Sequence, residues 1–257
     1  MTRSMKKLSL AMAVISWSVT AAFAQSFGIS FGSLEVTADN AADIFGDGKA
    51  AYDLNSNTLV LQDGFDYHLS TGFVTIATGN DFTVRLEGNA EMAASVDCSD
   101  NVIVETEEPN ALKITANISG SALKCPNLHI GRNVTVDLLS RNSADDKHAL
   151  DCAGELSIDF GTLHAEVTTA RLAVAVQRLT LSECYMQKPR GGIVNPVEGG
   201  ICFGDGIAAK QVRLIASGTG IEENETPPTQ RVQKVCENGQ VVIIKDGKRY
   251  SLTGQAL

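Results

Sequence analysis

Apolar residues recur along this chain in short pairs, each split by one intervening residue, and the pairs return at a near-fixed interval. Val96-Asp97-Cys98, Leu123-Lys124-Cys125 and Leu150-Asp151-Cys152 show the pattern most plainly, with their three cysteines evenly spaced. The register extends back to Val74-Thr75-Ile76 and forward to Val174-Ala175-Val176 and Ile201-Cys202-Phe203. Down the last position run Ile76, Cys98, Cys125, Cys152, Val176 and Phe203, at intervals that vary by only a few residues. Alternation with a period of two marks a strand with one buried face. Such strands returning every 20–50 residues or so mark a solenoid.

A second series follows each of these pairs at once: Phe82/Val84, Val102/Val104, Leu128/Ile130, Leu156/Ile158, Leu179/Leu181 and Val212/Leu214. The residue between is polar in most of them (Thr83, His129, Ser157, Thr180, Arg213). A third, less regular series runs through Leu112/Ile114, Val134/Val136 and Leu163/Ala165/Val167. Three strands with their turns in each interval predict an all-β fold, a right-handed parallel β-helix. Heptads, helix caps and sustained 3.6-residue periodicity are missing, which disfavours helical repeats. In the first series Thr75, Asp97, Lys124, Asp151, Ala175 and Cys202 are expected to face outward. Asp97, Lys124 and Asp151 then set opposite charges on successive rungs, each contact worth ~0.2–1 kcal/mol. Their predicted role is register rather than ligand binding.

The ends depart from this pattern. Residues 25–65 hold irregular strand candidates and the turn Phe45-Gly46-Asp47-Gly48, and are placed to cap the first coil of repeats spanning 66–217. Residues 218–231 (GTGIEENETPPTQR) form a polar, proline-containing linker. Within 232–257 three short strands, Lys234–Glu237, Gln240–Ile244 and Arg249–Leu252, are separated by Asn238-Gly239 and Asp246-Gly247, both strong hairpin signals. A small C-terminal β-meander is predicted.

Residues 1–24 read as a signal peptide: basic Arg3, Lys6 and Lys7, an apolar run from Leu8 to Val19, and Ala22-Phe23-Ala24 before a cut at Ala24/Gln25. The run is too short for a transmembrane segment, and no cysteine follows the cut to carry a lipid. Export to the cell surface, the periplasm or the medium is expected. Without those residues the chain keeps 18 basic against 30 acidic residues, a net charge of −12. That balance disfavours nucleic acid or an anionic membrane as a partner. Export permits disulfides, yet Cys98, Cys125 and Cys152 occupy one inward column with parallel side chains, which favours stacked thiols. Cys184 and Cys202, in a less regular region, are the better candidates for a disulfide.

Catalytic chemistry is sparse. Asp145-Asp146-Lys147-His148, near Asp151, is the best local catalytic candidate and reads as a solvated turn. Asp159 and Glu166 sit at strand-like positions without evident partners on neighbouring rungs. His68, His129, His148 and His164 lack metal-ligand spacing, and His129 reads as an outward strand residue. Nucleophile elbows, phosphate loops and CxxC pairs are absent. FGDG occurs at Phe45–Gly48 and Phe203–Gly206, but one such turn does not assemble the six or more oxygens calcium takes. Tyr67 and Tyr185 are candidates for exposure, while Tyr52 and Tyr250 are candidates for packing. No catalytic, cofactor or metal residues are assigned, and no binding residues are identified.

Val36–Asp63, VTADNAADIFGDGKAAYDLNSNTLVLQD, followed by β-coils, resembles secreted Bacteroidetes proteins catalogued as carbohydrate-binding-domain-like β-helix proteins. The resemblance spans residues 30–217 loosely and implies glycan binding. The tail Gln233–Gln255, QKVCENGQVVIIKDGKRYSLTGQ, resembles a short C-terminal segment common on exported and surface Bacteroidales proteins. The expected function is a non-catalytic, adhesin-like surface module with a glycan or a host or matrix protein as partner. A polysaccharide lyase or glycoside hydrolase of β-helix fold is the alternative, and a purely structural surface module a further one.

Overall fold

The structure, a computed structural model, describes residues 25–117, 120–142, 147–170 and 172–217, excepting the side chains of 70 and 71. It also describes the backbone of strands Gln233–Glu237, Gln240–Lys245 and Lys248–Tyr250. The predicted leader, the linker and both hairpin turns of the tail lie outside the described residues. Two units result, one ending at Ser217 and one beginning at Gly218. The second pairs its three strands antiparallel in sequence order, the predicted meander.

The first unit is a β-solenoid of about five turns, with no helix among the described residues. Each turn contributes to three faces. The first face stacks residues 74–76, 96–98, Leu123–Cys125, Leu150–Cys152 and Val174–Ala175 in parallel. Its rungs pair as the spacing requires: Ile76 with Cys98, Leu123 with Val96, Cys125 with Cys152, Leu150 with Val174. The second face stacks Thr58–Gln62, Phe82–Glu87, Val102–Thr106, Leu128–Ile130, Glu155–Asp159 and Arg178–Ser182, also in parallel. Leu59–Leu61, expected in the cap, already pairs as a parallel rung, Leu59 opposite Val84. The third face begins with residues 65–68 and 90–92, then Asn110–Ala116, Val134–Ser140 and Thr162–Val167. Its register is Leu112, Val136, Leu163 and Ile114, Leu138, Ala165, so the Val134/Val136 pair is offset by one inward position from the expected alignment.

Inward residues of all three faces form one core, with Leu61, Phe82, Val104, Ile130, Val136, Leu150, Leu156 and Leu163 all but inaccessible to solvent. Fully burying side chains of this size contributes about 1.5–3 kcal/mol each. Before the first coil, Ser26–Phe31 pairs antiparallel with residues 74–76, and Ala50–Asp53 with Thr58–Gln62. Phe31, Phe45 and Tyr67 pack their rings beside them, Phe31 edge-on to the other two, with centroids 5.0–5.3 Å apart. The corner between first and second faces carries an amide ladder. Asn101 Nδ2 donates to Asp81 Oδ1 at 2.8 Å, Asn127 Nδ2 to Asn101 Oδ1 at 2.7 Å, and Glu155 N to Asn127 Oδ1 at 2.7 Å. Gly154 ends the ladder because a Cβ there would lie 2.5 Å from Asn127 Oδ1.

Past Ser182 no strand joins the parallel stack, and several expectations fail there. Gly200–Cys202 returns antiparallel, Gly200 opposite Ala175, where a Cβ would meet the Val174 carbonyl oxygen at 2.1 Å. Reversal removes the sixth parallel rung, so Cys202 is buried rather than outward. Phe203, expected in the core column, opens a turn through Phe203 N–H to Ile207 O and Gly206 N–H to Phe203 O, and is 44% exposed. Val212 and Leu214 are buried as their alternation requires, but on the third face. There Gln211–Ala216 inserts antiparallel between Thr162–Val167 and Cys184–Lys188. Cys184 and Cys202 are not joined by a disulfide. They sit in strands of different faces, so the bridge considered for them does not form.

Candidate functional site

Among the described residues, the inserted strand creates the outer surface of the solenoid where most polar groups converge. Down the third face the outward residues pair as Glu91, Lys113, Asp137, His164, Arg213 and Lys188. A second outward column runs through Leu139, Glu166 and Gln211. Between them lies a depression of about 260 Å³ lined by Lys113, Asp137, His164, Glu166, Lys188 and Arg213, with Leu139 and Gln211 completing its rim.

The contacts inside this groove fix its chemistry. Lys113 Nζ lies 2.7 Å from Glu91 Oε1. His164 Nδ1 lies 2.7 Å from Asp137 Oδ1, and Arg213 Nε donates to His164 Nε2 at 3.0 Å. Because a guanidinium only donates, Nε2 must accept, and the proton of the neutral imidazole sits on Nδ1, facing Asp137. Both ring nitrogens are therefore engaged. Gln211 Nε2 donates to Glu166 Oε2 at 3.2 Å, and Lys188 Nζ to Gln211 Oε1 at 3.4 Å. Glu166, expected to stand alone, thus has a partner on the neighbouring strand. Neither Arg213 nor Lys188 has a carboxylate within ion-pair distance among the described residues.

Other residues singled out by the sequence fall elsewhere. Asp97 and Asp151 flank Lys124 on the first face, Lys124 Nζ 3.9 Å from Asp97 Oδ2, as the ladder required. The surface is open there, with the Lys124 side chain 57% exposed. Outward-facing His129 bonds Ser157 Oγ through Nδ1 at 2.9 Å. His148 Nδ1 reaches Leu172 O at 2.9 Å, while Asp145 and Asp146 lie outside the described residues. His68 pairs with Asp66 at 2.8 Å, and Asp159 faces Ser182 across the second face. In the two FGDG turns the aspartates cap backbone amides: Asp47 Oδ1 accepts from Lys49 N, and Asp205 Oδ1 from Ile207 N. Tyr185 is 49% exposed, Tyr67 half-buried in the aromatic cluster, and Tyr52 buried with its hydroxyl donating to Asn57 Oδ1.

Cys98, Cys125 and Cys152 stack as free thiols, each 2% exposed. Burial pushes the Cys98 thiol up to about 12. A hydrogen bond to Cys152 and then burial hold Cys125 well above its ordinary value. All three thiols belong to the packed core. Among the described residues no group of three His, Cys, Asp or Glu side chains is arranged to hold a metal ion.

Part of the groove was readable in advance. Lys113, Asp137 and His164 follow one another at the repeat interval and interleave the third series, so their column follows once that series is aligned correctly. Arg213 and Lys188 carry no such signal, since an antiparallel strand shares no period with parallel coils. No protein-family model, no curated protein and no solved structure matches this chain.

Proposed function

We propose that this protein is an exported, non-catalytic binding module whose solenoid wall engages a polysaccharide at or beyond the cell surface. One observation carries the reading: the imidazole in the groove has both nitrogens occupied, Nδ1 by Asp137 and Nε2 by Arg213. A general base needs a free lone pair within reach of the substrate proton, and here a guanidinium N–H takes it. What the groove presents instead is a rigid row of donors and acceptors on a regular sheet, which suits hydrogen-bonding to an extended polar chain. The N-terminal pattern of residues 1–24 supports export. Several shallow contacts along one wall predict modest affinity per site, raised by multivalency on a polymer.

The test is a binding screen of the protein against polysaccharides and matrix proteins, run beside assays for reducing ends and unsaturated products. Retention of a glycan without turnover supports the reading. Turnover abolished by His164→Ala in a folded variant would replace it with a polysaccharide lyase or hydrolase.

A further inference from the structure

Arg213 and Lys188 are directly opposed on adjacent strands. Like charges directly opposite one another destabilise a sheet, and four other strand cations of this acidic chain each have a carboxylate on the neighbouring rung: Arg85 with Glu105, Lys113 with Glu91, Lys124 with Asp97, Arg178 with Glu155. Here none is supplied. Arg213 spends Nε on His164, and its Nη groups form no hydrogen bond with any described residue. Lys188 makes one long contact, to a neutral amide. Asp137 turns Oδ1 to His164 and Glu166 turns Oε2 to Gln211, so the acids of the groove sit beside the cation pair without neutralising it.

From this arrangement we propose that the groove is a binding site for the carboxylate of a uronic-acid residue in a polysaccharide, held between Arg213 and Lys188. The proposal rests on the glycan-binding reading above and narrows it to a substrate class. A planar guanidinium matches a carboxylate in a forked, charge-assisted geometry, and the lysine supplies a second positive charge. Asp137, Glu166 and the Gln211 amide provide acceptors at the margin, which a ligand must meet with hydroxyl groups. A sugar acid carries both functions on one ring. A sulfate ester carries the same single charge but replaces a hydroxyl donor and is tetrahedral rather than planar, and a phosphate ester adds further charge beside Asp137 and Glu166. Leu139, half-buried at the rim, offers an apolar surface to ring C–H groups. A depression of about 260 Å³ falls just short of the ~300–1,000 Å³ of drug-sized pockets, a size for one or two sugar rings.

Titration calorimetry of the full chain at low salt against an oligogalacturonate, a neutral galactan, a sulfated galactan and polyglutamate separates the outcomes. The oligogalacturonate is expected to bind tightest and to weaken as salt rises. Arg213→Gln and Lys188→Gln should each weaken it about tenfold or more, the loss of a charge-assisted hydrogen bond, while the fold is retained. Lys124→Gln on the first face should leave it unaltered. Binding of the neutral galactan alone, or uronate binding indifferent to both groove variants, would overturn this site while leaving a glycan-binding module in place. Equal or tighter binding of polyglutamate or the sulfated polymer would show that charge, not a sugar acid, is read, and overturns it too. Failure to bind any glycan would overturn the broader reading with it.

Discussion

Replacing Cys125 by aspartate puts a carboxyl group at the centre of the first face, where the native side chain is 2% exposed between the Cys98 and Cys152 rungs. In the unfolded chain that carboxyl titrates near 3.9. In the core, burial raises a carboxyl by up to about 3–5 units, bringing it to about 7 or above. At pH 7 the folded protein must then keep the acid protonated while the unfolded chain releases the proton. Holding it through about three pH units costs roughly 4 kcal/mol, at 1.36 kcal/mol per unit. A domain of this size has about 5–15 kcal/mol in all, and at about 2–4 °C per kcal/mol the melt should fall by about 8–16 °C. The folded-state pKa is raised, so the folded state binds more protons and the penalty grows with pH above 3.9. It should vanish below that value. Cys125→Asn, measured at each pH, subtracts size and polarity. Lys124→Asp, one residue earlier but with an outward side chain 57% exposed, should cost about 1–2 kcal/mol, from two exposed attractions lost and two repulsions by Asp97 and Asp151 gained. The assay is thermal melting of all three variants at pH 4 and pH 7. Equal losses for Cys125→Asp and Lys124→Asp would refute the inward–outward alternation, as would a Cys125→Asp deficit independent of pH.

Three further outcomes follow from particular contacts. Gly154→Ala drives a Cβ to 2.5 Å from Asn127 Oδ1, and denaturant melts should show a loss of about 1–3 kcal/mol. Glu183 holds φ at +54° in the tight turn before Cys184, and is exposed; Glu183→Gly relieves a left-handed cost of about 1–2 kcal/mol at some entropic expense, so its melting temperature should rise. With the Cys98 thiol pushed up to about 12, the unfolded chain loses that proton first and stability falls as pH climbs above about 9, by up to about 1.4 kcal/mol per unit. Alkaline melts of Cys98→Ala should show a shallower decline than those of the native chain.

The parallel coils were legible because a solenoid writes its geometry into a one-dimensional repeat. On the first and second faces, every inward residue from Val74 to Leu181 that is paired in the ladders meets the partner that the spacing assigns. The amide ladder of Asp81, Asn101 and Asn127 was equally periodic, each member one coil after the last, but polar corner residues look like ordinary turns until a partner is seen above them. Beyond Val176 the alternation of Val212 and Leu214 still announced a strand with one buried face. It could not announce the direction of that strand or the face it joins. Those two choices brought Arg213 beside His164 and Lys188, so the groove depends on the part of the fold that the repeat does not encode.

The protonation of His164 tests the central claim most directly, because the non-catalytic reading rests on an imidazole with no free nitrogen. Long-range nitrogen–proton correlation spectra of histidine-labelled protein with neutral imidazoles report which ring nitrogen carries the proton. The account predicts the proton on Nδ1, with Nε2 bare and accepting from Arg213, and a change in the Nε2 signal in Arg213→Gln. A proton on Nε2, or an Nε2 signal that Arg213→Gln leaves unmoved, would contradict it and make His164 a candidate for a catalytic base.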